Sequence, residues 1–157
     1  MTNNNQRSGL NWYTIDLHLH TPASEDYLQP EVSYLDILKQ AAARGLDMIA
    51  FTDHNTVAGY RRMQEEIDQL KLLKKLNRLL PEEETRLSEY QRLLKRVLVL
   101  PGFEFTATFG FHILGIFPEE KPIRDIEHLL LELNIPSEQL DDGSVTVGAS
   151  VDVLTAY

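Results

Sequence analysis

A β-strand is predicted from the sequence WYTIDLH at residues 12–18, where aromatic and branched side chains follow the short period of a strand. Turn-forming residues follow at 21–24. Residues 34–44 then carry apolar side chains at helical spacing and end at Gly45, and residues 46–52 form a second apolar run. Because strand, helix and strand in this order form a right-handed βαβ unit, the sequence predicts an α/β fold with parallel strands.

A second region, residues 60–97, has helical rather than strand periodicity. Leucines and other apolar residues recur at steps of three and four on both sides of Pro81, which predicts two amphipathic helices in a hairpin. Residues 61–96 contain ten Lys or Arg and seven Asp or Glu, a net charge of +3, so the remaining five basic and seventeen acidic residues carry −12. The basic side chains indicate either a nucleic-acid or partner surface or an ordinary solvated helix face, and their mixing with acids favours the solvated face.

The rest of the chain extends the same pattern. Strands are predicted at 97–100 and 111–117, a helix at 123–133, and a short strand at 145–147. The polar residues 1–11 are expected to be disordered. A helix that begins at Val151 has no stop signal before Tyr157, so we interpret the sequence as a truncated chain.

Composition limits the classes of protein and of site. The chain has 157 residues, 43% of them hydrophobic, a net charge of −9 and no cysteine. This apolar fraction builds a core, and the absence of thiols leaves only His, Asp, Glu and other oxygen ligands for a metal. No segment has the length of a membrane span, so a cytoplasmic protein without a membrane partner is predicted. The negative charge argues against nucleic-acid binding by the whole surface.

Histidines and carboxylates gather where the predicted strands end. His18 and His20 are two residues apart on one strand, so both rings point to one face with about 7 Å between their Cα atoms. His54 ends the next strand, which is where α/β proteins collect functional groups. Glu104, His112 and the first-loop pair Glu25 and Asp26 complete a nitrogen and oxygen set that suits Zn²⁺, Mn²⁺ or Fe²⁺.

Each of these features also has an ordinary structural interpretation. A lone His-x-His pair commonly has only a packing role. Asp53-His54 alone is consistent with a hydrogen-bonded turn, and Glu104 alone with a surface carboxylate or a helix cap. Asp16 is expected to orient a neighbour by hydrogen bonding, and His128 to be exposed. The combination of three clusters at strand ends is what predicts a metal site.

The same residues resemble known motifs. Residues 16–21 (DLHLHT), 51–56 (FTDHNT), 102–106 (GFEFT) and 112–115 (HILG) are similar to the first three motifs of the polymerase and histidinol phosphatase (PHP) family. The resemblance implies a distorted (β/α)7 barrel with a bi- or trinuclear metal site and phosphoester hydrolysis. It implies that His18 and His20 bind one metal, that Glu104 bridges, that His112 holds the second metal and that His54 belongs to the third.

The sequence also departs from the family pattern. Glu25 and Asp26 compete for the first-loop ligand, and Asp26 is favoured. The 60–97 hairpin is an insertion, and no later His or Asp-x-His motif follows His128. Residues 12–157 are therefore interpreted as the N-terminal portion of a PHP domain that lacks the C-terminal part of the barrel, with weak or no activity and with exposed sheet edges that favour oligomers. Residues 20–27 resemble PHP domains at the front of large ATPases associated with DNA repair.

The predicted function of the intact protein is metal-dependent hydrolysis of a phosphorylated small molecule or nucleic acid, with two or three divalent ions. The alternative is a non-catalytic metal-binding or regulatory module of a larger ATPase or nucleic-acid-processing protein, either fused or associated. An amidohydrolase also carries His-x-His on its first strand, but it usually bridges its metals with a modified lysine, and Glu104 favours the phosphoesterase.

Overall fold

A sheet of four strands forms the centre of the described chain, which in this computed structural model comprises residues 12–145 and residue 151. The strands are β1 (Ile15–Leu19), β2 (Met48–Phe51), β3 (Leu98–Thr106) and β4 (His112–Ile116), and they are adjacent in that order. The pairs β1–β2 and β2–β3 are parallel, which confirms the predicted βαβ unit. The described chain is thus an α/β half-barrel, consistent with part of a PHP barrel.

The prediction that all strands are parallel is wrong for β4, which pairs antiparallel with β3. Only residues 107–111 connect the two strands, and a connection this short closes a hairpin but cannot cross back over the sheet. The pairing also lengthens β3 beyond the predicted 97–100 segment, because Gly102 to Thr106 pair with Ile116 to His112. Glu104 therefore lies within a strand and not in a turn after one.

The described residues form four helices: α1 (Tyr34–Ala43), α2 (Ala58–Lys75), α3 (Pro81–Leu93) and α4 (Ile123–Glu132). Short 3-10 turns occur at Thr108–Gly110 and Ser137–Gln139. The bounds of α1 and α4 agree with the predicted helices within a residue. The Ser33 hydroxyl caps α1 by accepting a hydrogen bond from the Asp36 N–H at 3.2 Å, which satisfies a backbone donor of the first turn.

The predicted helical hairpin is confirmed as α2 and α3. Pro81 is the first residue of α3, and the Glu83 carboxylate accepts the Leu80 N–H at 2.8 Å, as suits the positive end of a helix. The inner face of the hairpin is part of the hydrophobic core through the buried residues Met63, Ile67, Leu70, Leu87, Tyr90 and Leu93. Its outer face is exposed to solvent. Because its inner face is part of the core, the hairpin is packed against the rest of the described chain.

Buried polar groups are concentrated at one end of the sheet. Among the described residues, those that are polar or charged and buried follow β1, follow β2 or lie in β3: Thr21, Ser24, Thr52, Asp53, His54, Asn55, Thr56 and Glu104. Burial of such groups costs free energy unless each finds partners. The carboxyl ends of β1 and β2 are therefore where the hydrogen-bond partners of these buried groups need to be found.

Some predictions fall on residues outside the described part of the chain. These are the disordered N-terminus at 1–11, most of the strand at 145–147 and most of the helix at 151–157. Within the described ranges, no helix combines the length and the apolar character that a membrane crossing requires.

Candidate metal centre

Glu104 is the centre of a cluster of four imidazole rings. Its carboxylate is buried, with 1% of the residue exposed. His18 Nε2 lies 3.0 Å and His20 Nε2 2.8 Å from Glu104 Oε2, and His54 Nδ1 lies 3.4 Å from the same oxygen. His112 Nδ1 contacts the other oxygen, Oε1. Residues that are up to 94 positions apart in the sequence, from 18 to 112, therefore meet at one carboxylate.

The strands explain this convergence. His18 and His20 share a face of the β1 edge because strand side chains alternate. The β3–β4 register places Thr106 opposite His112, so His112 lies two residues along from Glu104 on the same face. A parallel bridge joins His54 to Glu104, with the Asn55 N–H donating to Glu104 O at 2.8 Å and the Glu104 N–H donating to Asp53 O at 2.9 Å.

Asp26 forms a second convergence beside the first. Its two oxygens lie 3.4 Å from His20 Nδ1 and 3.4 Å from His54 Nε2. Glu25, its competitor in the sequence, instead accepts a hydrogen bond from the Ser144 hydroxyl at 2.9 Å. The structure thus brings Asp26 and not Glu25 to the histidines.

The remaining candidates lie apart from the cluster, as expected. Asp16 Oδ1 accepts a hydrogen bond from the backbone N–H of His18 at 3.2 Å, which is the orienting contact that the sequence predicts. His128 is exposed on α4. All six predicted ligands, in contrast, are in contact with Glu104 or Asp26: His18, His20, Asp26, His54, Glu104 and His112.

The donor set fits divalent cations. Two groups each bring three ligand atoms within 4.8 Å of one another: the Glu104 group (His18, His20 and Glu104) and the Asp26 group (His20, Asp26 and His54). In addition, His54 Nδ1 is buried and makes no hydrogen bond to any described residue. A buried ring nitrogen without a hydrogen bond is costly, and a cation between it and the carboxylates would satisfy it.

Electrostatics keep the central carboxylate ionised. Burial acts to raise the pKa of Glu104, but contacts with His18, His20 and His112 and the charge of His54 hold its pKa at about 2. An ionised carboxylate between imidazoles is the form that binds a cation. Glu104 therefore carries a negative charge at neutral pH.

Asp53, Thr21 and Ser24 form a polar network that sequence reasoning missed. The Asp53 carboxylate is buried and accepts hydrogen bonds from the Thr21 N–H at 2.6 Å, the Thr21 hydroxyl at 2.8 Å and the Ser24 hydroxyl at 3.1 Å. Burial raises the pKa of Asp53, while the Thr21 and Ser24 hydrogen bonds oppose the increase. Thr21 and Ser24, which flank Pro22 and Ala23, are the signal in the sequence for this network, but by themselves they predict only a turn.

The cluster is open to solvent on one side. The side chains of His18, Asp26 and His112 are each about half exposed, whereas Glu104 and His54 are buried. A cavity of about 380 Å³ adjoins them and is lined by His20, Asp26, Tyr27, Leu28 and Gln29. A small ligand can therefore reach the exposed rim while the buried half stays fixed.

Comparison with known proteins agrees with this geometry. A family model described as the PHP domain matches residues 16–133, which span β1 to the end of α4 and include all six predicted ligands. No curated protein matches the chain.

Proposed function

The chain belongs to the PHP domain family, and we propose on that premise that it is a metal-dependent phosphoesterase with a site of two or three divalent ions. PHP domains are generally metal-dependent phosphoesterases. The observation that carries the proposal for this chain is the convergence of four imidazoles on one buried, ionised carboxylate. Structural histidines rarely need such an arrangement, because one hydrogen-bond partner satisfies each ring nitrogen.

The proposed ligands follow from the contacts. His18 Nε2, His20 Nε2 and Glu104 would hold one ion, and His20, Asp26 and His54 would hold a second. His112 Nδ1 faces Glu104 Oε1, so the two oxygens of Glu104 face different histidines and can bridge two ions. Imidazole and carboxylate ligands suit Zn²⁺, Mn²⁺ or Fe²⁺, and no thiolate is needed.

The arrangement suits hydrolysis of a phosphate ester. Bound ions of this kind stabilise charge on phosphoryl oxygens and lower the pKa of water. The protein supplies a buried anion, Glu104, that would hold the ions, and a half-exposed rim of His18, Asp26 and His112 that a phosphoryl group could reach. The adjoining cavity of about 380 Å³ suits the organic part of a small phosphate ester or one nucleotide of a nucleic acid.

Chromogenic esters test the proposal. The rates of hydrolysis of 4-nitrophenyl phosphate and bis(4-nitrophenyl) phosphate would be measured with added Mn²⁺ or Zn²⁺ for the full-length protein and for its His18→Ala and Glu104→Ala variants. We expect metal-dependent turnover that both variants abolish. His128→Ala, which changes an exposed histidine on α4, is the matched control and is expected to keep the rate of the unaltered protein.

Equal rates in the unaltered protein, His18→Ala and Glu104→Ala would remove the assignment. The choice of ester class comes from the same assay: faster release from the monoester indicates a phosphatase, and faster release from the diester indicates a phosphodiesterase.

The regulatory alternative depends on the α2–α3 hairpin, where the contacts favour a structural role. Arg86 pairs with Glu66, Arg92 with Glu89 at 2.8 Å, and Lys71 with Asp68 at 3.0 Å. Side chains that are paired within the hairpin offer less positive charge to a nucleic acid or an acidic partner. We therefore favour the enzyme over the docking module.

A further inference from the structure

Asp53 is a buried carboxylate that the proposed ligand set does not use. Only 1% of the residue is exposed, and its three hydrogen bonds all come from the loop that follows β1. A buried carboxylate is costly to desolvate, so its retention needs a compensating role. Its neighbour in sequence, His54, points into the metal cluster, whereas Asp53 points away to Thr21 and Ser24.

The contacts of Asp53 connect two parts of the Asp26 group. The Ser24 hydroxyl donates to Asp53 Oδ1 and accepts the His54 N–H at 3.0 Å. Thr21 directly follows His20, and Ser24 is two residues before Asp26. One carboxylate thus links the chain on both sides of the 21–24 turn to the backbone of His54.

The Glu104 group is held differently. His18 lies within β1 and His20 directly follows it. The end of β1 pairs with the end of β2 through Leu19 and Phe51, and the Thr52 N–H donates to Leu19 O at 2.9 Å. Glu104 is fixed within β3 by its pairing with β4 and by the parallel bridge to His54, which lies just beyond β2. The placement of Glu104 therefore depends on hydrogen bonds between paired strands, while the placement of Asp26 depends on a loop of irregular backbone.

Helix α2 closes over this network. A Cβ atom at Gly59 would lie 2.1 Å from Asp53 Oδ2 and 2.3 Å from Thr21 Oγ1, so only glycine permits the approach. The first turn of α2 thereby excludes water from the hydrogen bonds of Asp53. Exclusion of water strengthens hydrogen bonds to an ionised group and fixes their geometry.

We propose that Asp53 is a positioning residue that holds the 21–26 loop against His54 and thereby assembles the Asp26 group, while the Glu104 group forms without it. This inference rests on the proposed function, because it assigns how one part of that metal site is built. Hydrogen-bond partners of metal ligands typically change metal affinity by about 10- to 100-fold when they are removed. Asp53 acts less directly, through Thr21 and Ser24. These two residues connect it to His20, to Asp26 and to the backbone of His54.

Metal titration of variants tests the proposal. Co²⁺ would be titrated into the metal-free protein, with the visible absorption of the bound ion and competition with a chelating indicator giving the number and affinity of ions. His18→Ala and His54→Ala identify the binding step of each group. We expect Asp53→Ala to weaken the His54-dependent step about 10- to 100-fold and to leave the His18-dependent step within about twofold.

Two further variants separate positioning from general destabilisation. Asp53→Asn keeps an oxygen for the Thr21 N–H and the Ser24 hydroxyl and is expected to restore most of the lost affinity. Asp47→Ala is the matched control, because Asp47 likewise accepts a backbone N–H, from Thr14 at 2.8 Å, but at the opposite end of β2. It is expected to change neither binding step.

The outcomes divide clearly. Unchanged binding in Asp53→Ala, or equal weakening of both steps, overturns the inference. If Asp53→Ala does not fold, Ser24→Ala decides, since it removes the hydroxyl that joins Asp53 to the His54 N–H and leaves both Thr21 hydrogen bonds to Asp53 in place: selective loss of the His54-dependent step supports the inference and unchanged binding overturns it. A protein that binds both ions but hydrolyses no phosphate ester contradicts the proposed function and leaves the inference supported by the selective loss.

Discussion

The carboxyl edge of the sheet and the α2–α3 hairpin use charged residues in opposite ways. At the edge, Glu104, Asp53 and His54 are buried, and their partners come from three different segments of the chain. In the hairpin, most charged side chains are exposed and pair with a neighbour three or four residues away, or across the hairpin as Glu66 does with Arg86. Exposed pairs of this kind contribute little free energy and are easily formed.

This difference indicates what each region does. Replacement of buried charged residues by apolar residues is often neutral or stabilising. Charged residues that are buried together at one edge of the sheet therefore indicate a functional site. The hairpin contributes instead through its apolar inner face. The same chemical change should therefore affect metal binding at the edge and stability in the hairpin.

The largest effect is expected from Glu104→Gln. Loss of the central negative charge should lower the rate of phosphoester hydrolysis by at least about 10³-fold, equivalent to ~4 kcal/mol, because the ions lose their shared ligand. The measurement is kcat/KM with saturating Mn²⁺ or Zn²⁺, together with metal affinity.

Glu66→Gln makes the same change in the hairpin and serves as its control. It weakens the contacts of Glu66 with Arg86 and with the Tyr90 hydroxyl at 2.7 Å, so it should lower the free energy of unfolding but leave metal affinity unchanged. If Glu66→Gln reduced metal affinity as much as Glu104→Gln, the separation of the two regions would be wrong.

A core substitution in the hairpin should show the reverse profile. Leu87 is 1% exposed within the core, and Leu87→Ala is expected to lower the free energy of unfolding by about 3 kcal/mol through lost burial and a cavity. Denaturant unfolding measures this loss. Metal affinity at a temperature where the variant is folded should match that of the unaltered protein, and a parallel loss of affinity would contradict the comparison.

The sequence predicts much of the fold because its signals are local. Helical periodicity around Pro81 and the apolar runs before His54 specify elements that form with little help from distant residues. The predicted parallel direction of β4 is wrong because the side-chain period of a strand is the same in both directions. Only the five-residue connection between β3 and β4 excludes a crossover.

For the candidate site, the sequence predicts which residues come together better than it predicts what each side chain contacts. His18 and His20 had to share a face on any strand, and the ends of adjacent strands had to meet. Asp53 and His54 are adjacent and look equivalent in sequence, yet their side chains have different partners. That divergence depends on where the 21–24 turn and Asp26 lie in the folded chain, which is a tertiary feature.

Metal binding should stabilise the edge and hence the fold. Zn²⁺ or Mn²⁺ at 100 times its dissociation constant is expected to add about 2.7 kcal/mol to the free energy of unfolding if it binds only the folded state. Thermal unfolding with and without a chelator measures this change. Glu104→Gln should show almost none of it, and an equal increase in that variant would indicate that the ion binds elsewhere.

The smallest effect is expected from Tyr90→Phe. Tyr90 is buried and donates its hydroxyl to Glu66, so loss of that one hydrogen bond should lower the free energy of unfolding by about 1 kcal/mol. Neither metal affinity nor the rate of hydrolysis should change. A measurable loss of metal affinity would show that the hairpin is coupled to the edge.

The most direct test of the metal-dependent phosphoesterase is a back-titration of the full-length protein after metal removal. Zn²⁺ or Mn²⁺ would be added stepwise while bound metal and the hydrolysis of bis(4-nitrophenyl) phosphate and 4-nitrophenyl phosphate are measured in the same sample. We predict that hydrolysis is absent from the metal-free protein, rises as the sites fill and stops rising when they are full. Hydrolysis that survives metal removal, or full sites without hydrolysis of either ester, would contradict the account.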